Sequence, residues 1–368
     1  MGALDLFLEL AAMPSPPGEE RAVADRVAAE LRGLGLDVDE DDAGARIGSS
    51  AGNLYCRLAP SAEGTPLFFC AHLDTVPPVG VIEPVVDGGV VRNGAGTILG
   101  ADNKSAVAAL VEAARRLVGE RRSHAGVELV FTPKEEVGLR GADAFDSSRL
   151  EARVGYVYDQ AGPIGEVILG APHAFTLEIT FRGQAAHAGM APEEGRSAIA
   201  AAARAIADMR LGRLDDETSA NVGTIAGGVA RNIVPDTCVL HAEARSHDER
   251  KLADVVQEML EACSFAASLT GCEVETDVER SYRGYRFRQD DEPVRLARVA
   301  LERTGHVPSF ALSGGGADAN VFNIRGLACV NLANGMAEIH TPQEHIAVDD
   351  LERMVEVTLA LVEEARAA

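Results

Sequence analysis

Three nearly unbroken apolar runs constrain this chain more than any other feature. They cover residues 66–71 (Pro-Leu-Phe-Phe-Cys-Ala), 127–132 (Val-Glu-Leu-Val-Phe-Thr) and 154–158 (Val-Gly-Tyr-Val-Tyr). None has the regular polar alternation of a strand with one wet face, so each reads as a strand covered on both faces. Between the first two lies an alanine-rich segment, 104–118, with Val107, Leu110, Val111 and Leu117 at helical spacing. Further helices are predicted over 4–12, stopped by Pro14, Pro16 and Pro17, and from about 18–20 onward, with Val23, Val27 and Leu31 on one side and Gly33 and Gly35 at the end. Residues 36–38 and 53–58 read as additional strands. Buried strands alternating with helices predict an α/β layer architecture.

The pattern changes after residue 173. Residues 175–182 alternate Phe175, Leu177, Ile179 and Phe181 with Thr176, Glu178 and Thr180, a half-exposed strand. A helix over 193–210, strands over 220–225 and 232–244, a helix over 249–268 and a strand over 273–277 follow. Strand-helix-strand-strand-helix-strand is the split βαβ, or ferredoxin-like, order. The α/β pattern then returns, with a helix over 293–304, a loop over 313–318, a buried run over 327–332 and a closing helix near Asp349-Asp350. A ferredoxin-like α+β domain, 174–284, is therefore expected inside an α/β domain made of 1–173 plus 285–368. Two domains also suit a chain of 368 residues.

Several buried runs lead into residues that bind metals. His72 and Asp74 follow the first run, Glu135 and Glu136 the second, and Asp159 the third; Asp102 precedes the 104–118 helix, and His340 follows the last run. In open α/β sheets ligands gather at the carboxyl edge, where a parallel sheet brings such residues together. Imidazole and carboxylate are ligands for divalent zinc, and more than four of them suit a pair of metals bridged by one carboxylate. Asp102 is placed to bridge. Of the adjacent Glu135 and Glu136, one can ligate while the other acts as general base. Asp74, two residues past His72, is placed to orient its imidazole. Each fragment has a plain structural explanation alone, as an exposed acidic pair, a helix cap or a turn; their joint occurrence at element ends argues for a site.

The bulk numbers fit such a protein and exclude others. The apolar fraction is 46%, ample for a core, although there is no Trp and aromatics make up only 4%. A net charge of -23 argues against nucleic acid and anionic membrane partners. The segment Met1-Gly2-Ala3-Leu4-Asp5-Leu6 does not read as a secretion signal, and no apolar stretch is long enough to span a bilayer. The six cysteines form no Cys-x-x-Cys pair and read as free thiols in a cytoplasmic protein.

On the motifs His72-Leu73-Asp74-Thr75-Val76-Pro77, Gly100-Ala101-Asp102-Asn103-Lys104, Glu135-Glu136 and His340, the chain resembles the co-catalytic dizinc exopeptidases that include peptidase T, carboxypeptidase G, succinyl-diaminopimelate desuccinylase and the aminoacylases. The likeness is greatest to the peptidase T group. It implies an α/β zinc-exopeptidase catalytic domain with an inserted lid that also forms a homodimer. It implies two Zn ions, or Co or Mn, held by His72, Asp102 and Asp159 and by Asp102, Glu136 and His340. Glu135 is then the general base and Asp74 the orienter of His72. Less directly, His187 resembles a lid histidine that meets the developing oxyanion, Arg231-Asn232 a substrate-holding segment, and Gly315 and Gly316 part of a glycine-rich substrate loop. Two positions depart from the pattern. Asn103 stands where many relatives carry an Asp, and Gly314 stands where the peptidase T group carries an arginine suited to a substrate carboxylate, a role Arg231 is the candidate to replace. The expected activity is release of the N-terminal residue from short peptides. The alternatives are an amidohydrolase that deacylates N-acyl amino acids and a non-catalytic metal- or peptide-binding relative.

Overall fold

A computed structural model describes residues 2–367. The chain divides into two compact units. One holds the residues up to 170 together with 286–313 and those from 317 onward; the other holds 171–285 and the loop 314–316. The division falls near the expected 173/174 and 284/285 boundaries, but the glycine loop belongs with the second unit. Residues 1 and 368, the outer limits of the expected first domain, lie outside the described residues.

The first unit is built on a nine-stranded sheet. Its main order is Val38–Glu40, Leu54–Leu58, Val127–Thr132, Leu67–His72, Val154–Gln160, Ala328–Ala333 and Glu166–Ala171. The four strands in the middle of that order, Val127–Thr132 through Ala328–Ala333, run parallel. Every residue of Leu67–His72 and of Val127–Thr132 is buried, which is why their sequences barely alternate. Each fully buried phenylalanine of the first strand, Phe68 and Phe69, contributes roughly 1.5–3 kcal/mol relative to exposure. Helix Ala101–Gly119 packs on Leu67–His72, and helices Ala3–Ala11 and Val348–Ala367 pack on that helix in turn. Its alanines let those neighbours approach closely, so its interior residues are buried nearly all round.

The second unit is an antiparallel sheet in the order Thr218–Gly227, Thr237–Ser246, His173–Arg182, Glu273–Tyr282, with Gly212–Arg213 at one edge. Helices Ala198–Asp208 and Glu249–Thr270 share a core with Leu177, Ile179 and Phe181. This is the ferredoxin-like order expected.

Several boundaries differ from expectation. The helix expected from 193 begins at Ala198, because the Ser197 side chain accepts the Ala200 N–H as its cap; residues 192–194 form a separate turn of 3₁₀-helix. The strand expected from 232 begins at Thr237, since Pro235 has no N–H to give a ladder. The hairpin Pro84–Asp87/Val90–Asn93, the strand Glu166–Ala171, the helix Asp318–Ile324 and the short strand His345–Ala347 were not expected; all are short, and short apolar pieces carry little periodicity. Among the described residues no helix is long and apolar enough to cross a membrane.

Candidate metal centre

Strand register assembles the site. His72 pairs level with Thr132 of the neighbouring parallel strand, and Glu135 lies three residues beyond that point. On the other side Cys70 is level with Val157, which carries Asp159 to the height of His72. Asp159 thus lies within its strand, not just past its end as the sequence suggested. Here the ladder to Ala328–Ala333 is irregular, and Asn331 closes the gap: its Oδ1 accepts the Asp159 N–H at 2.9 Å and its Nδ2 donates to the Asp159 carbonyl at 2.8 Å.

Two ligand groups result, His72–Asp102–Asp159 and Asp102–Glu136–His340, the candidate donor atoms within each lying within 4.8 Å of one another. His72 Nε2 lies 3.1 Å from Asp102 Oδ1 and 3.7 Å from Asp159 Oδ1. His340 Nε2 lies 3.3 Å from Asp102 Oδ2 and 3.1 Å from Glu136 Oε1. The two oxygens of Asp102 therefore serve different histidines. Glu135 belongs to neither group, with Oε2 3.9 Å from His72 Nε2.

The electrostatics of the cluster follow from burial and crowding. Burial, then the neighbouring Asp102, pushes the Asp159 carboxyl up to about 7. Burial, then Asp159, holds Glu135 well above the usual carboxylate range. His340 is pushed up to about 10 by hydrogen bonds to Asp102 and then Glu136. Burial works against charge on His72, but bonds to Asp102 and Asp159 outweigh it and raise the imidazole well above its ordinary value. Four converging carboxylates with two histidines form a place that favours positive charge, and an imidazole–carboxylate donor set fits divalent cations such as zinc, cobalt or manganese.

Asp74 touches both the His72 ring and the acidic pair. The Asp74 backbone carbonyl takes His72 Nδ1 at 2.9 Å, and the Asp74 carboxylate stands 3.6 Å from the same nitrogen. A carbonyl only accepts, so Nδ1 donates, and Nε2 is the ring nitrogen turned toward Asp102. The Asp74 carboxylate also accepts the backbone N–H of Glu135 at 3.0 Å and of Glu136 at 3.1 Å, fixing the acidic pair. Just before that pair, Lys134 adopts φ 56°, and His340 itself adopts φ 63°. Left-handed backbone at such residues costs on the order of 1–2 kcal/mol, offset here by surrounding contacts.

Within the second unit, the structure brings His187 beside Arg231-Asn232. His187 bridges to Ile233, and the Ala188 N–H donates to the Asn232 carbonyl at 2.9 Å. His187 Nδ1 accepts the N–H of Gly189 and of Met190, each at 3.1 Å, so the ring's remaining N–H is at Nε2. His187, Arg231 and Asn232 are all exposed. In the 314–316 loop, a Cβ on Gly316 would stand 2.5 Å from the Tyr282 ring, so packing alone requires glycine there. Gly315 shares the loop and is half-buried.

Sequence reasoning missed two supporting residues. Asn331 holds Asp159, and Glu344 accepts N–H bonds from Leu99, Gly100 and Asp102. Both act on backbone groups far along the chain, which no local pattern signals. Among the described residues, His124, His173, His241, His247, His306 and His345 lie outside both groups.

Family models match in two places: one described as "Peptidase dimerisation domain" over residues 170–268, and one described as "Peptidase family M28" over residues 53–190. The YqjE protein of Bacillus subtilis is 39% identical over 98% of both chains. Among solved structures, an aminopeptidase PepT from Bacillus cereus is 40% identical with a TM-score of 0.87, covering 100% of this chain and 98% of that one. A tripeptidase from Staphylococcus aureus is 34% identical with a TM-score of 0.92, with the same coverage.

Proposed function

We propose, from the premise that this chain belongs to the peptidase T-like metallopeptidases, that it is an exopeptidase releasing the N-terminal residue of short peptides at the two ligand groups that share Asp102. The observation that carries this reading is the division of Asp102 between His72 and His340, the geometry of a carboxylate between two cations. Two divalent ions bound there supply Lewis acidity toward the peptide carbonyl and acidify water at neutral pH.

This chain's own residues do the rest. Glu135, buried and outside both ligand groups, takes a proton from the attacking water and returns it to the leaving amine. Burial raises its affinity for that proton, as a carboxylate shuttling protons at neutral pH requires. Asp74 holds Glu135 and Glu136 by their backbones, so one points to the proton and the other to the metal. His187, with its N–H at Nε2, is the donor for the developing oxyanion. Arg231, Asn232, Gly315 and Gly316 hold the substrate.

Zinc is the ion we favour, with cobalt or manganese as functional substitutes. A homodimer through the inserted unit is supported by the dimerisation-domain match and by Phe265 and Leu269, exposed on its helix Glu249–Thr270. Six free cysteines, five of them buried, suit a cytoplasmic site of action.

A second reading, deacylation of N-acyl amino acids, is favoured by Gly314, which leaves the glycine loop without the arginine of the peptidase T group. The test is a panel run on metal-reconstituted enzyme: tripeptides with a free amine, the same tripeptides N-acetylated, and N-acyl amino acids. Hydrolysis confined to free amines is expected. Turnover of N-acyl amino acids with no peptide cleavage overturns the exopeptidase reading.

A further inference from the structure

Glu344 is 2% exposed. Both its oxygens are committed. Oε2 accepts the backbone N–H of Leu99 and of Gly100, each at 2.8 Å, and Oε1 accepts that of Asp102 at 2.9 Å. Three N–H groups of one turn thus converge on a single carboxylate. That turn opens helix Ala101–Gly119, whose first N–H groups have no partner inside the helix. Gly100 makes the convergence feasible: its φ is +78°, and a Cβ there would stand 3.1 Å from Thr75 Cγ2.

The other end of the arrangement is equally fixed. Glu344 follows His340 by four residues. Between them the chain is tied by Thr341 Oγ1 to the Glu338 carbonyl at 2.7 Å, by the Gln343 N–H to Thr341 Oγ1 at 3.2 Å and by the Glu344 N–H to the Thr341 carbonyl at 3.1 Å. Immediately after, His345–Ala347 pairs with Val90–Asn93. One stiff loop therefore presents His340 to one oxygen of Asp102 and clamps the backbone N–H of the same aspartate.

We propose that Glu344 is a positioning residue for the metal centre: it locks the Asp102 turn to the His340 loop so that the shared ligand is aimed at both metal positions before any ion arrives. A carboxylate is required because three donors need two acceptor atoms, and a glutamine offers one, turning an NH₂ toward an N–H. The inference rests on the reading of Asp102 as the shared ligand.

The test measures zinc affinity of the full-length protein by competition with a chromophoric chelator, alongside thermal melts. E344Q is expected to bind zinc about 10–100-fold more weakly than wild type, the range for loss of a group that orients a ligand. E344D keeps both oxygens one methylene shorter and is expected to fall between them; it carries the test if E344Q does not fold. Val91→Ala, a buried change on the strand that pairs with His345–Ala347, is the control for general loosening. At saturating zinc the KM for a tripeptide is expected to be unchanged in E344Q. Affinity within twofold of wild type in E344Q, or equal weakening by V91A at an equal fall in Tm, overturns the proposal. Should wild type bind fewer than two ions, the shared-ligand reading fails separately, and Glu344 is judged on the ion that does bind.

Discussion

Asn331 and Asp159 form a reciprocal pair in which a side chain replaces a missing rung of the sheet, giving and taking one hydrogen bond with the Asp159 backbone. Asn331→Ala leaves a part-buried N–H and a part-buried carbonyl of Asp159 without these partners. At about 1–3 kcal/mol for each unsatisfied group, the expected loss of stability is about 2–6 kcal/mol. Chemical denaturation of the metal-free protein measures it; a loss under about 1 kcal/mol would mean that water fills the gap at little cost.

Glu135 and Glu136 are neighbours with opposite tasks, and substitution should separate them. Glu135→Gln is expected to lower kcat by about 10²–10⁴-fold while metal content stays at the wild-type level. Glu136→Ala is expected to lower metal occupancy. Metal analysis and steady-state kinetics on both variants check this, and the opposite pattern would exchange the two roles.

Chelation is expected to abolish hydrolysis, and zinc, cobalt or manganese to restore it. Wild type should bind two ions per chain, and Asp102→Ala should hold neither at full strength, since both groups contain Asp102. Full activity in metal-free protein excludes the reading altogether.

In the metal-free protein the contribution of His340 to stability should be lost as pH rises. His340 is raised from its ordinary 6.5 to about 10 by Asp102 and then Glu136. A group that binds its proton more tightly when folded stabilises fully below its unfolded value, and that contribution is lost as pH climbs through the folded value. The window for His340 therefore runs from 6.5 to about 10. Asp159, raised from 3.8 to about 7 by burial and then Asp102, adds a loss of the same sign at lower pH. In thermal melts with chelator present, wild type should fall more steeply between pH 6.5 and 10 than His340→Ala. Parallel slopes would remove the assignment. Metal must displace the same proton, so zinc affinity should rise over this interval.

His187→Ala is expected to raise the barrier by about 2.7–4 kcal/mol, as loss of an oxyanion donor does. The loss should appear in kcat more than in KM, because the donor acts on charge that exists only in the transition state. Metal content should not change. Wild-type kinetics in this variant would refute the role.

Much of the fold was legible because burial leaves a direct trace in composition. Leu67–His72 and Val127–Thr132 are unbroken runs because both their faces are covered, and His173–Arg182 alternates because one face is wet. The candidate ligands were legible because chemistry restricts them to a few residue types, which here fall at or near the ends of strands and helices. What stayed hidden acts through the main chain. The Asp74 carboxylate also accepts from the backbone of Glu135 and Glu136, a contact that its spacing of two from His72 does not signal. Glu344 lies 242 residues from Asp102, and nothing local distinguishes it from any other glutamate near a turn. The bulged rung at Asp159 likewise depends on Asn331, a residue 172 positions away.

The sharing of Asp102 between two ligand groups also gives the chain a calendar. His72, Asp102 and Asp159 are translated before the inserted unit, whereas His340 and Glu344 are translated after it. Synthesis order therefore separates the two halves of the centre in time: the first set of donors waits for its partner loop throughout the making of the inserted unit. A nascent chain interrupted before residue 340 carries the donors of one candidate group and lacks His340 of the other, so the paired arrangement around Asp102 forms only once the loop that follows the inserted unit has been made.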